Sequence, residues 1–293
     1  MIACRIVLGG GKRELLLASP LLAASGALGY LPSLGTGAEC LGAVVTPALT
    51  AVARRGTEAP TLARTTAGYL LPTGRRNPGV RRALRDYGRP WAALAMPVIA
   101  ALYGATADDL AETAQALGDA RGVQGLELHL PHDAPPEAYG EAVRLVHRET
   151  SLPVLVRLAH DGSAVESARA AQESGADALV VAAPPLGRAR GEGGVWLRGP
   201  LHSPALAPLT AERIHEVRAA TRLPIVGRGG LATLSDALAM LAAGAVALQL
   251  DSILHVDPGA PVRLYAALEE EMARRSAPDW EALLTALRQE DDA

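Results

Sequence analysis

Two short patterns each occur twice in this chain, and together they restrict its fold more than any other feature. Thr150-Ser-Leu-Pro-Val-Leu-Val returns as Thr221-Arg-Leu-Pro-Ile-Val-Gly, and Ser174-Gly-Ala-Asp-Ala-Leu-Val-Val returns as Ala243-Gly-Ala-Val-Ala-Leu-Gln-Leu. In each, a helical pattern ends, a short loop follows and an apolar strand begins. Such alternation favours βαβ units around a parallel sheet. Extended along the chain, it predicts strands near 20–24, 42–46, 97–102, 124–130, 153–158, 178–183, 224–228 and 246–250. It predicts helices over about 78–88, 106–119, 136–149, 163–174, 210–220, 233–243 and 260–274, with a terminal helix over 279–289. Eight such strands close a (β/α)8 barrel. A doubly wound open sheet uses the same alternation and is the rival architecture. No linker divides residues 1–293, so one barrel domain is expected.

The last of these units, residues 224–252, has the most local detail. Pro224 to Val226 is short enough for a buried parallel strand. Gly227, Gly229 and Gly230 allow a sharp turn and a close backbone approach to a ligand. Thr233 suits a helix N-cap, and Gly244 sits where that helix would stop. Barrels commonly hold a phosphate on the loops after their last two strands. Asp251 conflicts with such a cup, because a phosphate favours bare N–H groups there. Two insertions, 47–77 and 184–209, are rich in Pro, Gly and Arg and should lie over the C-terminal mouth of the barrel.

Composition excludes several roles. A net charge of −3 gives no bulk attraction to nucleic acid or anionic membrane. The absence of Phe argues against a base-stacking surface. Lys12 is the only lysine, so no interior lysine can form a Schiff base. Cys4 and Cys40 make neither a disulfide framework nor a zinc site, and a reducing cytoplasm is the expected location. Lys12 and Arg13 before an apolar run mimic a signal peptide, but Glu14 and the Ser19–Pro20 break interrupt it. No run reaches the roughly 18 to 20 apolar residues that a membrane span needs.

A series of motifs then points to a family. They are Ala23-Ala-Ser-Gly-Ala-Leu-Gly-Tyr, Leu41-Gly-Ala-Val-Val-Thr, Arg54-Arg-Gly-Thr-Glu-Ala-Pro and Asn77-Pro-Gly, followed by Pro97-Val-Ile-Ala, Leu126-Glu-Leu, Pro153-Val-Leu-Val-Arg-Leu and the late glycine turn. In order and spacing they resemble the class 1 dihydroorotate dehydrogenases, over roughly residues 14 to 272. The resemblance implies a barrel that binds flavin mononucleotide (FMN), oxidises a CH–CH bond of a small substrate in pyrimidine biosynthesis and forms a homodimer. It implies cofactor contacts at Ala24, Ser25, Gly26, Thr46, Arg157, Gly229, Gly230, Asp251 and Ser252. It implies substrate contacts at Gly74, Asn77, His129 and His202. The family's cysteine base falls on His132.

The chain departs from that pattern at the site itself. Where the family reads Asn-x-Ser-Cys-Pro-Asn, this chain reads His129-Leu-Pro-His-Asp-Ala. Family lysines are replaced by Pro47 and Arg157, asparagines by Leu71 and by a residue near Ala183, a serine-glycine by His202-Ser203, and a glycine-threonine by Asp251-Ser252. Losing several buried hydrogen-bond partners would remove most recognition of orotate. Asp251 would in addition repel a phosphate. Ser25-Gly26, Arg157 and Gly229-Gly230 could still cradle a flavin.

His129, His132, His160 and His202 fall at predicted strand ends or their loops, together with Asp133 and Asp161. They read as solvated loop residues, as acid–base or ligand-contacting groups with His132 the base, or as two histidines and a carboxylate around a metal. Arg157 needs a partner in the barrel, either a phosphate, a flavin carbonyl or Glu127 on the neighbouring strand. Arg75-Arg76, Arg81-Arg82 and Arg188 to Arg190 read as solvated surface, or as a lid that meets an anionic ligand. Three functions follow: a flavin oxidoreductase, a non-catalytic accessory member kept for assembly with a partner subunit, or, after these two, a metal-dependent hydrolase.

Overall fold

The computed structural model describes residues 2, 4–32, 37–59, 61–104 and 106–291. Pro60, at the end of the Arg54 motif, lies outside them. The predicted strands form a closed parallel barrel. Its members are β3 (Leu21–Ala23), β4 (Ala43–Val45), β7 (Val98–Tyr103), β8 (Gly125–His129), β9 (Val154–Arg157), β10 (Ala178–Val181), β13 (Ile225–Arg228) and β14 (Ala247–Leu250). They pair in chain order, and closure comes from Leu248, Gln249 and Leu250 pairing with Leu21, Leu22 and Ala23. The open-sheet alternative is thereby excluded. Aliphatic side chains fill the core, as a chain without Phe requires.

Helices cover the barrel. They are α1 (Val80–Ala92), α2 (Ala107–Gly118), α3 (Pro136–Glu149), α4 (Ala164–Glu173), α5 (Ala207–Ala220), α6 (Leu234–Ala242), the single-turn α7 (Ile253–Val256), α8 (Ala260–Arg274) and α9 (Trp280–Asp291). Local chemistry sets several boundaries. Thr233 accepts from the Asp236 N–H while Asp236 accepts from the Thr233 N–H, which closes a capping box at the start of α6. Gly244 ends α6 at φ 126, a conformation costly for other residues.

Two features were not legible as strands. The leader-like segment is a hairpin of β1 (Ile6–Gly10) and β2 (Arg13–Leu17), with Leu8, Leu15 and Leu17 buried. A Cβ built at Gly125, the first residue of β8, would lie 3.3 Å from the Leu15 side chain, so the hairpin plugs the N-terminal end of the barrel. The two insertions contain β5 (Ala63–Thr65), β6 (Gly68–Leu70), β11 (Leu186–Arg190) and β12 (Trp196–His202). These make one antiparallel sheet in the order β11-β12-β6-β5, joined across the insertions by Leu201 opposite Leu70 and His202 opposite Tyr69. Ala63, Leu70 and Leu197 form its own small core. Among the described residues, no helix is long and apolar enough to cross a membrane.

Candidate functional site

The C-terminal ends of the barrel strands and the inner side of this sheet enclose a cavity of about 620 Å³. That is a normal size for a small-molecule site. Ser25 and Gly26 line it after β3, His129 at the end of β8 and His132 after it, Arg157 at the end of β9, Arg228 at the end of β13 and Asp251 after β14. The insertions add Leu71 to Arg76 from one side and Arg198, Gly199, Pro200 and His202 from the other.

Under the cavity runs a buried polar stack. Glu127 is fully enclosed; one oxygen lies 2.5 Å from His129 Nε2, and the other accepts from Gln249 Nε2 at 2.6 Å. Burial alone would raise the Glu127 carboxyl, but the hydrogen bond to His129 and the charges of Arg157 and Arg228 hold it below the usual range. Burial, and then Arg157, push the His129 imidazolium down. The pair is therefore a carboxylate with a neutral imidazole at neutral pH, the imidazole N–H donating to Glu127. Burial and then Arg228 lower Arg157 to about 9, opposed by Glu127, so it stays cationic near neutrality. Glu127 is thus an electrostatic neighbour of Arg157, while its hydrogen bonds go to His129 and Gln249.

At the opposite side Asp251 is already neutralised. Its Oδ2 lies 2.9 Å from Arg228 Nη2 and 3.2 Å from His202 Nδ1. Burial would raise this carboxyl, but Arg228 and the His202 hydrogen bond override it and keep it ionised. The expected repulsion between Asp251 and a phosphate is largely cancelled by this arrangement. Arg228 is 3% exposed, and its Nε and Nη1 find no protein acceptor among the described residues. Buried donors of this kind need partners.

His132 lies among Arg157, Arg75 and Arg198; burial and these three charges, in that order, lower it to about 4. Arg75 has φ 58, and its guanidinium carbon sits 3.7 Å from the centre of the Tyr103 ring.

The cavity thus gathers His132, His129, His202, Arg157, Ser25, Gly26, Gly74 and Asp251. Ala24, Thr46, Asn77, Gly229, Gly230 and Ser252 are outside its lining. Their contacts are with the protein. Thr46 Oγ1 donates to Pro47 O and accepts from the Ala101 N–H. Asn77 bonds Thr50, the Gly79 N–H and Arg75 O. A Cβ at Gly230 would fall 2.2 Å from Ala207 N, so this glycine admits the start of α5. Among the described residues, no group of three or more His, Cys, Asp or Glu side chains is placed to hold a metal ion.

Sequence reading missed Arg228, Arg198 and His255 and left Arg75 and Arg76 as either solvated surface or an anion-facing lid; all five line the cavity. The available signal was an arginine inside Gly227-Arg-Gly-Gly, on the strand paired to the one that Asp251 follows. For FMN, the donor set fits an anionic group through guanidinium side chains: Arg157 and Arg228 supply cationic N–H groups, while Ser25 and Gly26 line the cavity with the Ser25 hydroxyl bonded to Thr46 O and the Gly26 N–H to Val45 O.

A family model described as Dihydroorotate dehydrogenase matches residues 14–272. The catalytic subunit of dihydroorotate dehydrogenase B (NAD(+)) from Geotalea daltonii is 30% identical over 290 residues, 93% of this chain and 95% of that protein. Its counterpart from Desulforudis audaxviator is 32% identical over 294 residues, 93% and 94% of the two chains. Among solved structures, a DHODH from Eimeria tenella in complex with ferulenol has a TM-score of 0.78 at 17% identity, covering 94% of this chain and 87% of its own. That last likeness is one of fold.

Proposed function

This chain belongs to the dihydroorotate dehydrogenase family, and from that premise we propose that it is an FMN-dependent oxidoreductase acting on a small anionic substrate other than orotate. The observation that carries the reading is the cationic cavity at the barrel mouth, where Arg157 has no ion-pair partner among the described residues and two buried Arg228 nitrogens have no acceptor. Arg228 and Ser25–Gly26 are the residues that would hold the cofactor, and Arg157 would stand between cofactor and substrate. When bound, FMN would supply an acceptor for the hydride lost by the substrate.

The remaining work falls to side chains of the protein. His132 occupies the position where the family carries its cysteine base, and it is neutral at pH 7, so it has a lone pair for the substrate's proton. On its own an imidazole this acidic is a weak base. An anionic substrate that pairs with Arg75, Arg157 and Arg198 would neutralise the charges that depress it and lift its pKa toward the ordinary 6.5. His129, aligned by Glu127, would present its Nδ1 as a fixed acceptor. The sheet over the mouth would exclude water. A homodimer and a partner subunit both fit this reading, the latter because the relatives are named as catalytic subunits.

A second reading is an accessory member that no longer uses the cofactor. It is favoured by Asp251 within the cup and by Gly229 and Gly230 lying outside the cavity lining. Fluorescence titration of FMN separates the two. Saturable quenching, weakened by Arg228→Ala and accompanied by a flavin absorbance band on the purified protein, is the expected result. Protein that is colourless and leaves FMN fluorescence unchanged supports the accessory reading instead.

A further inference from the structure

We infer that the outer part of this cavity, where Arg75, Arg157 and Arg198 face His132, binds a small polyanion bearing two or more negative charges. The inference rests on the preceding reading for the role of that anion as substrate, but its binding does not require the flavin. Five arginines and one carboxylate line the cavity, and that carboxylate is taken up by Arg228. Among the described residues, Arg75, Arg157 and Arg198 form no ion pair. Exposed arginines elsewhere, such as Arg55, Arg64 and Arg121, also carry no ion pair among the described residues, so what sets this group apart is position: Arg75 and Arg157 are half-buried, and all three guanidiniums line one cavity.

The set is also built. Asn77 Nδ2 donates to Arg75 O at 2.9 Å, holding that backbone in a left-handed conformation that non-glycine residues seldom adopt. Tyr103 backs the Arg75 guanidinium. Arg198 comes from β12 and Arg157 from the barrel, so three independent elements converge on one space. A single carboxylate satisfies one guanidinium fork. Three forks around one imidazole call for several carboxylates, or for a phosphoryl group with a second charge. The cavity volume suits a metabolite.

Isothermal titration of the full-length protein, with and without saturating FMN and at constant ionic strength, tests this. The probes are citrate, pyrophosphate and acetate. Citrate or pyrophosphate should bind one to one, at least about tenfold more tightly than acetate. Whichever of the two binds tighter identifies carboxylates or phosphoryl groups as the recognised chemistry. Arg198→Ala should weaken that binding about tenfold, with unchanged melting temperature and unchanged FMN titration. Equal affinity for acetate, wild-type affinity in R198A, or competition between citrate and FMN would overturn the inference. Citrate binding that depends on Arg198 in a protein that takes up no FMN would uphold it while removing the flavin reading.

Discussion

His132 and His129 are two imidazoles that the folded protein keeps neutral, and this has a consequence for acid stability. The folded value for His132 is about 4 against an ordinary 6.5, because burial and then Arg157, Arg75 and Arg198 oppose its protonation. Between those values the unfolded chain binds a proton that the native protein refuses. Stability must therefore fall as pH is lowered from about 6.5 toward 4, and this term is constant above 6.5. His129, depressed by burial and Arg157, acts in the same direction. Melting temperature measured from pH 7.5 to 4.5 should decline earlier than carboxylate protonation alone predicts. His132→Gln should flatten the decline, and adding a bound polyanion should flatten it too. An unchanged slope in the variant would show that the folded protein does not hold this ring neutral. The residues behind this effect were only half legible in the sequence. The histidines stood out as replacements in a known motif. Arg75 and Arg198 did not, because an arginine in a Pro- and Gly-rich insertion reads as solvated surface until the fold shows what lies beneath it.

At the level of elements, the barrel strands and their helices were readable because each is an apolar run or a 3.6-period stripe bounded by Gly, Pro or Thr. The strands outside the barrel were not. β5 and β6 are three residues each, and β11 alternates arginine with small or apolar residues, so neither pattern exceeds the background of a loop. They are strands because distant insertions pair with one another, a long-range fact that no local window contains. This sheet rests on few apolar contacts, and Leu70, 1% exposed, is the centre of its small core. Leu70→Ala should cost about 2 kcal/mol locally, at the low end for such a truncation. Hydrogen exchange should then accelerate in 63–70 and 186–202 while the barrel strands keep their protection. Polyanion affinity should fall with it, since Arg198 is carried on this sheet. Uniform acceleration throughout the chain would show instead that sheet and barrel unfold as one unit.

Across the whole molecule, the two ends of the barrel carry different duties. Function gathers at the C-terminal mouth, where strand ends and insertions bring charge together, and the N-terminal end is closed by apolar packing from the β1–β2 hairpin. The sequence hid this second role, since a basic pair before an apolar run imitates a leader, and the alternation in Arg13-Glu-Leu-Leu-Leu is too short to stand alone. Leu15, 2% exposed, is the part of the hairpin that reaches the floor of β8. Leu15→Ala should remove about 2–5 kcal/mol of global stability, read as a lower urea midpoint with an unchanged slope. Because the change lies at the opposite end from Arg157, Arg198 and Arg228, affinity for FMN and for citrate under native conditions should stay within about twofold of wild type. Arg198→Ala should do the reverse, leaving the urea midpoint in place while citrate affinity falls. If Leu15→Ala weakened ligand binding as strongly as it weakened folding, the plug would have to shape the mouth through the barrel, and the division of duties between the two ends would not hold.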